Sequence, residues 1–313
     1  MMPRARSHNV VSFLTIVTLY VLLTTHGARS QSLEEYGTRP SGLGARAAAL
    51  ADAYTADAFD VGSMYWNPGS LSFLRKTSIL VNHRHEWTNS AFNEIVATPI
   101  IMARNQVFAL GVQVTHLGHI TSPSNFQFIQ YGLDMGYSIN ILPTLSVGML
   151  MGIRFGKTET SSLSAVTTTV GIFYYPTPAL SYGAVFSGIG SGIKYSYDGV
   201  KSYLELDKRL PRSLELGGSM RFPSTANLPI VTLSLSSEKF YLTDEIRYKG
   251  GLEGYVLSFL AVRIGYVRGL TGQGARYGLG ILTDRFQVNV AVKPGDSADR
   301  FDELSISIFL GGR

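Results

Sequence analysis

The sequence predicts an all-β membrane barrel of about fourteen antiparallel strands, with a short N-terminal helical hatch in or near the lumen. Three observations predict this fold: alternation of apolar with polar or glycine residues, alternation of short and long connections, and a low charge content. Charged residues make up 16% of the 313 residues, against about a quarter in typical soluble domains. Glycine, tyrosine and phenylalanine are plentiful, which suits a sheet with lipid on one side and small side chains on the other.

From residue 76 onward, the apolar residues recur with a period of two, the pattern of a strand with one apolar face. In segment 286–293 every second residue is Phe or Val, and the residues between them are Gln, Asn, Ala and Lys. Most such segments approach the ~9–11 residues that a tilted strand needs to cross a bilayer. Fourteen segments follow this pattern: 76–84, 92–101, 106–116, 128–139, 144–155, 165–174, 179–187, 212–221, 229–238, 244–254, 259–267, 275–282, 285–292 and 302–311.

The connections between these segments give an independent indication. Outer-membrane barrels have short periplasmic turns and longer external loops. The even-numbered connections are mostly short here, as at 103–105 and 176–178. The odd-numbered ones are mostly longer and comprise 117–127, 156–164, 188–211, 268–274 and 293–301. A soluble sandwich or propeller is the alternative. A propeller would show a repeat near 40 residues, and the sequence contains none.

The first thirty residues have the pattern of a cleaved secretory signal. Arg4 and Arg6 precede an apolar run, 10–23, and a cut before Gln31 would leave small residues on its N-terminal side. As a helix, that run would span ~21 Å, short of the ~30 Å hydrocarbon core. We therefore expect a signal peptide at 1–30, a hatch at 31–75, a transmembrane barrel at 76–313 and an outer-membrane location.

Composition and charge exclude several kinds of function. The chain has no cysteine, which excludes disulfides and thiolate sites. The formal charge of +5 falls to +2 once the three arginines of the leader are removed, so nothing indicates nucleic-acid binding. No Gly-x-Ser-x-Gly elbow occurs, and we expect neither an enzyme nor a cofactor. The histidines His83, His85, His116 and His119 are expected at the barrel rim, without a metal.

The N-terminal segment carries a resemblance to a known family. Residues 42–58 are rich in alanine, which favours helix, and Pro68 with its neighbours Asn67 and Gly69 suits a turn. The stretches 44–54 and 65–69 resemble the N-terminal signature of the FadL-like outer-membrane superfamily, and within it the PorV/PorQ branch. Residues 210–217 and 303–307 are similar to later segments of that branch. Gly69-Ser70 after Pro68 departs from the Ala-Gly usual there.

The resemblance implies a fourteen-stranded barrel with an N-terminal hatch and two possible functions. PorV/PorQ-like proteins act in type IX secretion, which implies a scaffold or cargo-handling role with a large translocon and secreted cargo proteins as partners. FadL-like proteins passively transport long-chain fatty acids or other hydrophobic compounds, which implies a hydrophobic small molecule as ligand. The compact external loops leave little material for a loop-built capture groove. A general polar porin is a third option, and outer-membrane lipid surrounds the protein in each case.

Three sets of residues are candidates for these functions. An apolar ligand pocket between hatch and wall is expected near Leu50, Tyr54, Phe59, Trp66, Asn67, Pro68 and Gly69. A charge facing lipid costs ~2–4 kcal/mol at the bilayer midplane, so the charged strand residues are expected to point into the lumen. There they would either pair and anchor the hatch or line a polar path: Asp134, Arg154, Glu215, Arg221, Arg247, Glu253, Arg263 and Arg276.

The longest predicted external loop, 188–211, contains three tyrosines, Tyr195, Tyr197 and Tyr203, together with basic residues. Aromatic residues and arginine are enriched in protein interfaces, so this loop is a candidate for docking a protein partner. The alternative is an ordinary barrel cap whose tyrosines lie at the membrane interface.

Overall fold

The computed structural model describes residues 43–57, 59–87, 91–103, 105–120, 126–157, 161–191, 194–197, 210–222, 231–269, 273–295 and 300–310. The expected signal peptide, its cut before Gln31, and Tyr203 lie outside these residues. The described chain forms one closed antiparallel barrel with a short helical segment, the described part of the hatch, inside it.

Fourteen long strands build the barrel, and each corresponds to one of the fourteen segments identified by periodicity. The first and last strands pair from Thr77 opposite Leu310, and a further pairing between β5 and β6 completes the closure. A fifteenth, short strand, β8, pairs only with the start of β6. The strands are β1 (Thr77–Glu86), β2 (Ala91–Ala103), β3 (Gln106–Ile120), β4 (Phe126–Leu142), β5 (Leu145–Lys157), β6 (Ser161–Thr177), β7 (Leu180–Gly190), β8 (Lys194–Tyr197), β9 (Ser213–Phe222), β10 (Val231–Phe240), β11 (Ile246–Leu257), β12 (Leu260–Arg268), β13 (Gly274–Leu282), β14 (Phe286–Lys293) and β15 (Phe301–Leu310).

The two faces of the wall differ in polarity, and the apolar face points outward. On β12, Val262 and Ile264 are 43% and 47% exposed, whereas Arg263 between them is 2% exposed. The same alternation recurs around the barrel, where exposed large apolar side chains occupy the outer face of nearly every strand. This arrangement is the reverse of a soluble protein and matches a barrel surrounded by lipid. Among the described residues, no helix is long and apolar enough to cross a membrane.

Two of the predicted external loops are shorter than expected. β3 extends to Ile120 and β4 begins at Phe126, while β5 extends to Lys157 and β6 begins at Ser161. The expected limits 117–127 and 156–164 were therefore wrong, because backbone pairing continues beyond the point where apolar residues cease to alternate. The expected loop 188–211 contains β8, so it too is partly regular. The even-numbered connections remain short, with two residues between β2 and β3.

The described part of the hatch contains α1 (Ala45–Ala49), α2 (Ser63–Trp66) and a 3₁₀ helix (Pro68–Phe73). The first helix is shorter than the alanine content of 42–58 favours. It ends there because Ala51 and Asp52 adopt φ values of 56° and 62°, outside the right-handed helical region. Almost every side chain of this segment is buried, so much of the packed core lies inside the barrel.

Candidate functional site: the hatch and the lumen wall

The turn at residues 67–69 lies directly against the wall where the wall residues are glycines. A Cβ atom at Gly148 would lie 2.3 Å from the Pro68 carbonyl oxygen, and one at Gly171 would lie 2.2 Å from Asn67 Oδ1. Both positions face each other across the β5–β6 ladder. Any larger residue would therefore push the turn off the wall, and the glycines are required for this close approach.

A second contact of the same kind lies at the end of α1. A Cβ atom at Gly265 would lie 2.5 Å from the Ala51 backbone nitrogen, and one at Gly278 would lie 2.4 Å from Ala49 Cβ. These glycines belong to the neighbouring strands β12 and β13. The glycine content of the sequence is thus used, in part, to let the hatch approach the wall on two sides.

The Asn67 side chain joins the turn to the wall. Its Nδ2 donates to the carbonyl oxygens of Thr55 at 2.9 Å and Ile172 at 3.0 Å, and its Oδ1 accepts from Gly69 N at 3.0 Å. Asn67 is fully buried, so these bonds replace the water that the amide loses. The sequence identified Asn67 as a turn residue. The structure adds its hydrogen bond to β6.

Two wall serines on the adjacent strands bind the same turn. The Gly69 carbonyl oxygen accepts hydrogen bonds from Ser138 Oγ at 2.8 Å and from Ser146 Oγ at 2.5 Å. Both serines are fully buried and point inward from β4 and β5. The 3₁₀ helix is therefore fixed at its N-terminal end by strands β4, β5 and β6.

Arg46 on α1 forms the centre of a buried charge network. Its guanidinium donates to both Glu253 oxygens, at 2.9 and 2.8 Å, and to Asp57 Oδ2 at 2.7 Å. Glu253 also accepts from Arg263 Nε at 2.6 Å, and Asp57 accepts from Arg221 at 2.8 Å. Three cations and two carboxylates therefore alternate from the wall to the hatch and back to the wall, in the order Arg263, Glu253, Arg46, Asp57 and Arg221. Burial alone would lower the pKa of Arg46, but the Asp57 and Glu253 carboxylates raise it well above its usual value, so Arg46 stays charged.

Tyr54 extends this network as a neutral group. Its hydroxyl accepts from Arg46 and donates to Asp60. Burial raises the pKa of Tyr54 well above its ordinary value, and burial also raises the pKa of Asp60. The phenol therefore remains protonated and serves as a hydrogen-bond donor within the hatch.

A further anchor ties the hatch to strands β13 and β15. Arg276 donates to Asp52 Oδ2 at 2.6 Å, and Glu303 Oε1 accepts from the Gly44 backbone N–H at 3.0 Å. Burial would raise the pKa of Asp52, but the charges of Arg276, Lys249 and Arg84 together outweigh it and lower the pKa below its usual value. The helix α1 is consequently held at both ends by wall side chains.

The eight charged residues predicted to face the lumen all lie on the inner face, in ion pairs. Arg221, Glu253 and Arg276 contact the hatch directly, and Arg263 does so through Glu253. The others pair along the wall: Asp134 with Arg154 at 2.7 Å, Glu215 with Lys249 at 3.1 Å, and Arg247 with Glu245 at 3.1 Å.

The apolar candidates of the hatch form two separate groups. Leu50, Tyr54 and Trp66 pack together with Ala47 in one buried cluster, in which the Tyr54 and Trp66 rings meet edge to face at 6.3 Å. Leu50 and Tyr54 are almost completely enclosed, so a ligand could enter this cluster only if side chains moved.

Phe59 lies elsewhere, in an aromatic group with Phe73, Phe173 and Tyr175. Its ring is 5.4 Å from Phe173 and 5.3 Å from Tyr175, both on β6, and the Arg221 guanidinium lies 4.3 Å above it. The single apolar pocket expected from the sequence is thus divided into two sites on the hatch.

Sequence reasoning missed the polar residues of the hatch, Arg46, Asp52 and Asp57. The available signal was their position, since they interrupt a run of alanines whose other side chains are buried. A charged residue in a buried segment needs a partner of opposite charge. That rule predicts a wall partner without saying which one.

The remaining candidates lie away from the hatch. Tyr195 and Tyr197 are on β8, opposite Leu163 and Ser161 of β6. His83 and His85 are near the C-terminal end of β1, where His83 Nδ1 is 3.4 Å from Glu94. Over the described ranges, no group of side chains is arranged to hold a metal ion.

Comparisons with known proteins match the fold. No protein-family model and no curated protein sequence matches the chain. Among solved structures, the CymD monoaromatic hydrocarbon channel has a TM-score of 0.61 at 10% identity and covers 90% of this chain and 100% of its own. The toluene transporter TodX of P. putida has a TM-score of 0.58 at 11% identity, with coverage of 90% and 100%. A FadL homologue of Pseudomonas aeruginosa has a TM-score of 0.56 at 12% identity, with coverage of 87% and 98%.

At these identities the likeness establishes the fold: a closed fourteen-stranded antiparallel barrel of the kind seen in FadL-like membrane channels. The match spans nearly the whole length of each solved chain.

Proposed function

We propose that the protein is a non-enzymatic outer-membrane channel for small hydrophobic molecules, which pass through it passively. The observation that carries the proposal is a lumen occupied by an anchored hatch within a barrel like those of hydrocarbon channels. An open polar porin would need a continuous water path, whereas here the described hatch residues inside the barrel are almost all buried. The location in the outer membrane, after removal of residues 1–30, belongs to this proposal.

The hatch defines where a hydrophobic molecule would pass. The cluster of Leu50, Tyr54 and Trp66 and the aromatic group around Phe59 are two apolar surfaces of the hatch. A larger one, which includes Met64 and Leu71, packs against strands β1, β2, β3 and β5. Because all three are packed in this conformation, passage requires the hatch to shift relative to the wall. Towards β11 and β13 the anchors are polar and suit such a shift, since hydrogen bonds and ion pairs can be exchanged for water. Towards β2 and β3 the hatch packs through an apolar cluster that would resist wetting, so the shift is expected on the polar side.

The secretion role implied by the PorV/PorQ resemblance is a second hypothesis. It rests on the sequence motifs and on the short connections, such as the three residues between β5 and β6. The solved structures that resemble the chain are hydrocarbon channels, and they give this role no support. A stable large partner that co-purifies from gently solubilised membranes would favour it over transport.

Uptake by cells tests the proposal directly. A strain lacking the gene is complemented with the wild-type chain or with an empty vector, and accumulation of labelled toluene and of a long-chain fatty acid is measured. The proposal predicts faster accumulation of at least one hydrophobic compound with the wild-type chain, and unchanged accumulation of glucose. Equal accumulation with and without the chain, at normal expression, would reject the transport function.

A further inference from the structure

The outer face of the barrel bears a concave apolar site where β4, β5, β6, β7 and β9 lie side by side. Its volume is about 510 Å³, within the ~300–1,000 Å³ range of small-molecule sites. No charged or amide side chain lines it. Two rows of outward side chains form it, one through Met149, Val170 and Phe186, and the next through Val147, Ile172 and Ala184.

The depression lies directly behind the part of the wall that the hatch turn contacts. Gly148 and Gly171 lie between the two rows and allow the backbone to approach the hatch turn. Asn67 binds the same part of β6 through its 3.0 Å hydrogen bond to the Ile172 carbonyl oxygen. On the outer side of these strands, the small side chain of Ala184 lines the depression and leaves part of it unfilled.

The position of the site relative to the membrane follows from the next row of residues. Tyr174 and Tyr182 face each other across β6 and β7, and their rings stack at 6.3 Å. Tyrosines concentrate at the level of the lipid headgroups. They lie near the two-residue β6–β7 connection, at the same end of the barrel as the other short connections. The depression therefore extends from the headgroup level of one leaflet into the hydrocarbon layer.

We infer that this depression binds one acyl chain of a membrane phospholipid, with the lipid headgroup at the level of Tyr174 and Tyr182. The site is continuous with the lipid-facing belt, and its lining offers an occupant only apolar contacts. Along the strands, from the tyrosine row inward, it runs over both rows of apolar side chains, which is the direction that an acyl chain takes below its headgroup. The inference concerns a resident lipid and does not depend on the transport function.

Photo-crosslinking tests this site. The purified chain is placed in nanodiscs with a phospholipid that carries a diazirine in one acyl chain, and adducts are mapped by mass spectrometry. Adducts at Met149, Val170 and Phe186 should exceed those at Val262 and Ile264, on the outer face of β12, by several-fold. Similar labelling of both regions would overturn the inference.

Filling the site provides the matched comparison. Ala184→Trp places a large side chain in the depression, and Ala275→Trp places the same side chain beside Tyr266 on the outer face of β13. The Ala184→Trp variant should abolish the excess labelling and the Ala275→Trp variant should preserve it.

Ala184→Phe repeats the test if Ala184→Trp no longer shows the change of electrophoretic mobility on heating that identifies a folded barrel. Unchanged labelling in the filled variants would contradict a site at Ala184, and displacement of the photolipid by toluene would assign it to a transported compound instead.

Discussion

At the scale of single residues, Arg46 and a few glycines determine how the hatch sits in the lumen. Arg46 bridges two carboxylates that lie on different parts of the molecule, Asp57 of the hatch and Glu253 of β11. Removing one partner of a buried ion pair leaves a buried charge without compensation, which typically costs ~3–5 kcal/mol. The arginines on the wall keep part of that compensation here, so the expected loss is smaller.

Arg46→Met should lower the free energy of unfolding by about 2–3 kcal/mol, because the substitution keeps the apolar stem and removes the charge between Asp57 and Glu253. Urea unfolding in detergent, followed by tryptophan fluorescence, measures the change. Arg300→Met is the control, since Arg300 is 45% exposed on its side chain and its pair with Asp302 should contribute less than ~1 kcal/mol. Equal stability of the two variants would contradict a central role for Arg46.

Gly171→Ala should loosen the hatch turn, because its new Cβ would meet Asn67 Oδ1 at 2.2 Å. Overpacking of this kind costs ~1–3 kcal/mol. Limited proteolysis should then cleave the hatch faster than in the wild-type chain. Gly250→Ala is the matched control, since its nearest neighbour, Leu235 Cδ2, lies at 3.3 Å and can move. Identical cleavage rates in the two variants would refute the close-packing argument.

At the scale of elements, the hatch is short and irregular because its ends are bound to the wall. α1 stops at Ala49, and the chain turns through left-handed conformations at Ala51 and Asp52 so that Asp52 reaches Arg276. Aspartate and asparagine adopt this conformation more readily than most residues. The alanine content alone could not predict the end of the helix, since it is set by an ion pair 224 residues apart in sequence.

This anchor should weaken in acid. The folded-state pKa of Asp52 lies below its unfolded value of ~3.9, so the anchor stabilises the hatch above that pH and is lost as pH falls through the folded pKa. Asp52→Asn keeps the backbone conformation and removes the charge. It should therefore make the hatch more sensitive to protease at pH 7 and reduce the further increase between pH 5 and pH 3. An unaltered pH profile in Asp52→Asn would show that other carboxylates govern the hatch.

The sequence predicted the strands well and the contacts of the hatch poorly. Alternation identified each long strand because one face must contact lipid, a constraint that every strand such as β12 obeys locally. The ends of β3 and β5 were missed because hydrogen bonding continues where that constraint stops. Inward-facing charges such as Arg263 followed from the cost of facing lipid. The ion-pair partner of a buried charge, such as Glu253 for Arg46, depends on how the closed barrel places distant residues, and no local sequence pattern predicts it.

At the scale of the whole molecule, the chain has an apolar exterior, a charged interior and a hatch held between opposite walls. Solved channels share the barrel fold at 10–12% identity. Such divergence is expected when the fold depends on alternation and on small residues at the hatch, since many sequences satisfy both. Under the proposed function, transport depends on whether the hatch can leave the wall.

A reversible tether between hatch and wall tests this claim most directly. In Thr55→Cys with Gly217→Cys, the ideal Cβ at position 217 lies 3.1 Å from Thr55 Cβ, close to the ~3.5–4.5 Å of a disulfide, and the chain has no other cysteine. The account predicts that uptake of the hydrophobic compound is lost on oxidation, returns on reduction, and is unaffected in either single variant. Equal uptake in the oxidised and reduced protein would contradict the hatch as the gate.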